Sequence, residues 1–237
     1  MSQTNNYIGI NQRVPFSVLD RGLLRYLQDG VVDRLLLSEN LQEFIQGENR
    51  LGKAITYANQ MLTKPTTLLH AMRQQVGAEV YMQLPEHERQ ALCLSLLVCT
   101  YPIAYDLIIA FGTGFKVQAR ISRQYVTERI AAQYGSTRTI DIALDALLPM
   151  LIELGVTNRI EISVYGNPAN PTLANSFVAE AYIYADLKAS KHKSLLANEI
   201  ITRPWYMFFC PTVPLGRSST LLKHTEGYIG GGYVSAK

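Results

Sequence analysis

Cysteine is scarce in this chain. Cys93, Cys99 and Cys210 are the only three in 237 residues, and no two stand at metal-ligand spacing. That excludes a disulfide-stapled scaffold and a zinc module, and a reducing cytoplasm is the expected compartment. The four histidines, His70, His87, His192 and His224, are scattered, with no HExxH pair among them. There is no GxSxG. Gly112-Thr113-Gly114-Phe115-Lys116 lacks the GxxxxGK[ST] spacing of a phosphate loop and follows a helix-like run rather than a strand. No catalytic residue, metal or cofactor is therefore expected. The opening MSQTNNYIGINQRV has no basic region followed by an apolar core, so no signal peptide is expected either.

Apolar residues are abundant, at 48%, enough for a substantial core. The first half reads as helices. Leu19, Leu23, Leu24, Leu27, Val31 and Leu35 follow the helical period from Phe16 to Leu36, with Ser17 as a cap and Gly30 as a break. A short helix over Leu41–Ile45, a longer one over Leu51–Leu62 and another over Leu68–Val76 follow. Pro85-Glu86 suits a helix start, where proline is tolerated and an acid complements the dipole. The run from Ala91 to Phe111 is about as long as a bilayer requires, roughly 20 residues. It contains Pro102 and Asp106, however, and a carboxylate at membrane depth costs roughly 2.5–3.5 kcal/mol. Two buried helices hinged near Thr100–Pro102 are expected instead, with no membrane partner. Gly112-Thr113-Gly114 marks a domain boundary, giving a helical domain over 1–115.

The stretch 116–187 carries the functional signal. Val126, Ile130 and Tyr134 have helical spacing, and Gly135 ends that helix. Ser136 then caps a second helix with a stripe of Ile140, Leu144, Leu147, Leu148, Leu151 and Leu154, which Pro149 should kink near Leu148. Beyond Gly155 the apolar period changes to two: Ile160, Ile162 and Val164, then Phe177, Ala179, Ala181 and Ile183. Arg159–Tyr165 and Phe177–Tyr184 are predicted to form an antiparallel hairpin, with GNPANPTLANS between them as its wing. The fold class expected is mainly α: a helical half, then a winged helix-turn-helix-like module with a small antiparallel β-hairpin. The second helix of such a module usually enters the major groove.

Charge follows this division. Residues 1–115 carry nine Lys/Arg and ten Asp/Glu; residues 116–237 carry thirteen and nine. The net charges of −1 and +4 put the positive excess where a nucleic-acid footprint would place it. The expected partner is double-stranded DNA. Its expected contacts are Lys116, Arg120, Arg123, Thr137, Arg138, Thr139 and Arg159, with Lys191 and Lys193 beyond. Asp141 and Asp145 on the second helix, and a wing without Lys or Arg, count against this reading. They favour the alternative, a protein–protein adaptor built on the same scaffold.

The last segment, 188–237, is basic and then aromatic. Trp205, Tyr206, Phe208 and Phe209 crowd between prolines, as in a segment pinned on a hydrophobic surface of this or another protein. GYIGGGYVSAK at the end reads as flexible.

The helical first half, the segment PEHERQALCLSLLVCTYPIAYDLIIAF and the helix STRTIDIALDALLPMLIELG with its hairpin resemble the BrxA-type proteins of bacterial BREX phage-defence clusters. The resemblance covers roughly residues 30 to 165. Pro149, the longer hairpin and the aromatic, glycine-rich tail depart from it. It implies a helical-plus-wing, DNA-binding accessory protein without catalytic residues.

Overall fold

The computed structural model describes residues 8–211, 219–226 and 232–237. Seven helices build the first half: α1 (Phe16–Asp29), α2 (Arg34–Gln42), α3 (Glu48–Met61), α4 (Thr66–Gln75), α5 (Gly77–Gln83), α6 (Glu86–Thr100) and α7 (Pro102–Phe115). The short helix expected over Leu41–Ile45 is instead the last two residues of α2 and the turn after them, and α2 starts where the Asp33 side chain accepts from the Leu36 amide. Pro15 rather than Ser17 precedes α1. The long apolar run divides into α6 and α7 as expected, and both are packed in protein: every residue from Ala91 to Val98 is buried. No helix of the described residues is long and apolar enough to cross a membrane.

The predicted boundary at 112–114 lies inside α7. Its glycines serve close approach, not a break. A Cβ on Gly112 would sit 2.2 Å from the Pro204 carbonyl oxygen, and one on Gly114 would sit 2.3 Å from Ile121 Cδ1. One continuous core runs from Ile10 to Val234, so the three expected domains are not separate bodies.

After α7 come β1 (Arg120–Ser122), α8 (Arg123–Tyr134), α9 (Arg138–Glu153), β2 (Asn158–Glu161) and β3 (Val164–Gly166). Strand β1 pairs antiparallel with β3, and β3 with β2, in the order β1-β3-β2. The chain reverses between β2 and β3 through Ile162-Ser163, where Ser163 takes φ 61°. The hairpin is thus folded within the single stretch expected as one strand. Pro149 does not divide α9, which runs unbroken to Glu153. The i−4 carbonyl it frees belongs to Asp145 on the exposed stripe, where water can replace the missing donor.

The second half of the expected hairpin is a helix. α10 spans Ser176–Ser190 and begins where the Asn175 side chain accepts from the Phe177 and Val178 amides. Every residue from Phe177 to Leu187 is buried, so the helix has no polar face to reveal its period, and alternate apolar residues mimicked a strand. The loop expected as the wing, 166–176, instead leads into α10 through β4 (Thr172–Leu173), which pairs with β6 (Cys210–Pro211). The Glu88 carboxylate, itself buried, accepts from the Ala174 and Asn175 amides at 2.6 and 2.8 Å and fixes this entry onto α6.

Strand β5 (Leu195–Leu196), β7 (Leu222–Thr225) and β8 (Tyr233–Ala236) form a last antiparallel sheet, order β5-β8-β7. The end of the glycine-rich tail is therefore a central strand; residues 227–231 lie outside the described ones. The aromatic segment is buried in this chain's own core, with Trp205, Tyr206, Phe208 and Phe209 at most 4% exposed. Trp205 stacks on Tyr182 at 4.6 Å, and each bonds the other's backbone carbonyl. These aromatics are thus not presented to a partner. Residues 212–214, at the end of that segment, are outside the described residues.

Candidate nucleic-acid interface

α9 is held from its C-terminal end. The Glu153 side chain accepts from the Phe16 amide at 2.7 Å and pairs with Arg13, while its carbonyl accepts from Gln90 Nε2 at 2.8 Å. Leu144, Leu147 and Leu151 are fully buried beneath it. The N-terminal turn is left at the surface: Thr137, Arg138 and Thr139 are all exposed. Thr137, not Ser136, is the residue at the cap, and its side chain makes no capping bond. The Ile140 amide donates to the Thr137 carbonyl at 3.0 Å, which leaves the Arg138 and Thr139 amides and the partial positive charge of the helix end for an outside acceptor. Arg138 has no ion-pair partner among the described residues.

The exposed stripe of α9 continues through Asp141, Ile142 and Asp145. Asp145 is neutralised by Arg123, the first residue of α8, at 2.7 Å. Arg123 and Arg159 both lie close enough to Tyr165 to oppose the upward push that burial gives its hydroxyl, while Asp145 adds to that push. Arg123, Arg159, Asp145 and Tyr165 therefore form one group where α8, α9 and the β1-β3-β2 sheet meet. Arg120 on β1 faces Glu161 on β2 at 3.4 Å, both largely exposed, and Arg159 Nε donates to the Glu161 carbonyl. Exposed pairs of this kind are worth about 0–1 kcal/mol, so exchanging the acid for a phosphate costs little.

Lys116 stands apart at the end of α7, donating to the Thr202 carbonyl. Lys191 takes a left-handed conformation (φ 59°) at the end of α10, near enough to Asp106 to favour its charged form. Lys193 is exposed two residues on. Lys191 reaches the module through a cleft it shares with Gln133 and Tyr134, the last residues of α8. The sequence reading missed three exposed apolar residues, Ile142, Ile160 and Ile162, the last 82% exposed. Ile142 lies on α9, whereas the alternation of Ile160 and Ile162 with Val164 suggests a strand with one apolar face.

The thiol of Cys93 is fully buried beside Tyr81, which donates to Asp20 at 2.5 Å. Burial pushes the thiol far up, away from nucleophilic chemistry. Among the described residues no cluster of His, Cys, Asp and Glu could hold a metal ion. No family model, no curated protein and no solved structure matches this chain.

Proposed function

We propose that this chain is a non-catalytic DNA-binding protein that meets duplex DNA through a winged helix-turn-helix, with the first turn of α9 entering the major groove. The observation that carries this reading is topological. A helix (α7), a strand (β1), two helices (α8, α9) and a hairpin (β2–β3) follow in order, and the strand adds to the hairpin's second strand. In that arrangement the second helix presents its N-terminal residues to base edges and backbone. Here those residues are Thr137, Arg138 and Thr139, anchored from behind and open in front. Arg120, Arg123 and Arg159 flank them as phosphate contacts, and the Ile162-Ser163 turn is a short wing. The resemblance to BrxA-type proteins supports a place as an accessory in a cytoplasmic phage-defence assembly.

The test is a titration of labelled duplex at several salt concentrations. The expected result is a linear fall of log K with log salt, about 0.9 per phosphate neutralised. Arg138→Glu should weaken binding about ten-fold or more, given that a contact to a base is worth about 1–3 kcal/mol. Salt-insensitive or absent binding by the parent overturns the proposal.

A second reading has its own support. Arg120 and Arg123 are already paired with acids, and Ile142, Ile160 and Ile162 are exposed in the same module. Those features suit a protein partner docking there, the adaptor alternative, and that reading takes over if duplex is not bound.

A further inference from the structure

Lys64, Lys188 and Lys191 converge on a cavity of about 410 Å³ between the start of α4 and the end of α10. Thr66 and Thr67, in the first turn of α4, also line it, and neither Asp nor Glu does. None of the three lysines is in an ion pair among the described residues. Lys188 Nζ lies 5.8 Å from the centre of the Tyr184 ring, which keeps the ammonium on the cavity side of α10. The field of Lys188 reaches the cavity wall: Cys99 is pushed up to about 12 by burial, and Lys188 pulls the other way. Three cations in a concavity that no Asp or Glu lines repel one another, with the share of Lys191 reduced by Asp106 nearby, and a polyanion relieves that repulsion.

This cavity does not end at Lys191. Pro102, Ala189 and Lys191 also line a second cleft of about 810 Å³, whose far side is Gln133 and Tyr134. Those two residues close α8, and the three that follow lead to Arg138. Asp106 is the acid that lines the second cleft: it accepts from the Tyr134 hydroxyl at 2.6 Å, burial works against its charge, and Lys191 favours it. Asp186 does not line the cleft; it is fully buried and held by Arg203 and Tyr105. A concave surface that carries Lys64, Lys188 and Lys191, with Asp106 offsetting part of the charge of Lys191, thus joins the helical half of the protein to the α8–α9 turn.

We propose that the groove from Lys64 through Lys188 and Lys191 to the α8–α9 turn is a second phosphate-contact surface, over which the DNA that meets Arg138 continues. This rests on the DNA-binding reading above. It extends the footprint beyond the winged helix to α4 and α10, elements with no part in base reading. The occupant is a nucleic-acid backbone rather than a free phosphorylated molecule, because the cavity is open and continuous with the proposed interface.

The experiment uses the full chain and two labelled duplexes, one of about one helical turn and one of about three (about 10.5 bp per turn), titrated across a salt series. The triple variant Lys64→Gln/Lys188→Gln/Lys191→Gln is compared with the parent and with Arg138→Glu. On the long duplex the triple variant should lose about 2–3 units of salt slope, near 0.9 per lysine; on the short duplex it should match the parent. The matching triple arginine variant should keep the slope. All three lysines are exposed, so the unfolding midpoint should not move. A triple variant with the parent's slope on the long duplex, while Arg138→Glu weakens binding, overturns the groove and leaves the α9 reading standing. Loss in the triple variant with no effect of Arg138→Glu keeps the groove as a nucleic-acid surface and overturns the α9 assignment. Pyrophosphate that binds the parent tightly and not the triple variant, with equal slopes on the long duplex, marks a site for a free phosphorylated ligand and also overturns the proposal.

Discussion

Asp186 should be a highly sensitive polar residue, because it ties α10 to Arg203 in the C-terminal segment. Its side chain is fully buried on α10. Arg203 grips it with two bonds, Nε at 2.7 Å and Nη2 at 2.9 Å, and the Tyr105 hydroxyl donates to it at 2.6 Å. Burial opposes the charge on Arg203, but the hydrogen bonds and charge of Asp186 outweigh it and hold the guanidinium above its usual range. Breaking a buried pair by removing one partner costs about 3–5 kcal/mol. Arg203 keeps 21% of its side-chain surface exposed and can partly rehydrate, which places Asp186→Ala near the lower end, about 3 kcal/mol. With a urea slope of about 3 kcal/mol per M, the midpoint should fall by about 1 M. Trp205 is the sole tryptophan and sits in this lock against Tyr182, so its emission reports the site directly. Fluorescence and far-ultraviolet circular dichroism should give coincident transitions in the parent, because the segment belongs to the common core. Asp186→Leu/Arg203→Met, which buries no charge, should be less destabilised than the two single variants summed, by at least about 1.5 kcal/mol, the scale of a bond to a charged group. A midpoint shift under about 0.3 M for Asp186→Ala, or no coupling in the double variant, refutes the argument.

Leu147→Ala should cost about 2–5 kcal/mol, since its side chain is fully buried beneath α9; an unchanged denaturant midpoint would show that the stripe does not hold the helix. Gly112→Ala should cost about 1–3 kcal/mol or more and shift Trp205 emission to the red, because the new methyl collides with backbone at Pro204; parent-like emission and stability would contradict the close approach. Burial raises the folded Asp106 carboxyl above its unfolded value, with Tyr134 and Lys191 working against the shift. The folded state therefore binds the proton more tightly, and the stability this group contributes at low pH is lost as pH rises through its folded pKa. Asp106→Asn, which can still accept from Tyr134, should flatten urea midpoints measured from about pH 4 upward and match or exceed the parent at pH 7; a variant that loses more at pH 7 than at pH 4 reverses the sign and the reasoning.

The legible parts of this chain are those where one residue pattern has one physical meaning. The stripe of Leu144, Leu147 and Leu151 separates a buried face from an exposed one, and α9 lies where that stripe places it. Pro102 divides the long apolar run because proline at a first turn suits a helix start, and α7 begins there. The illegible parts are those where the pattern depends on what packs against it. α10 is covered on every side, so neither period could show, and its alternation of Ala and larger residues was an accident of full burial. Gly112 and Gly114 read as a break because glycine usually loosens a helix, whereas here it makes room for Pro204 and Ile121, which the chain order does not reveal. The same limit governs function. Asp145 on the exposed face of α9 counted against DNA when taken alone, yet the α8–α9 crossing sets Arg123 against it at 2.7 Å. Arg120 counted for DNA when taken alone, yet the hairpin sets Glu161 opposite. Both corrections come from strand register and helix crossing, and they act in opposite directions. The charge of this face is a property of the folded surface, and Arg138, which pairs with no acid among the described residues, is the residue on which the DNA reading now turns.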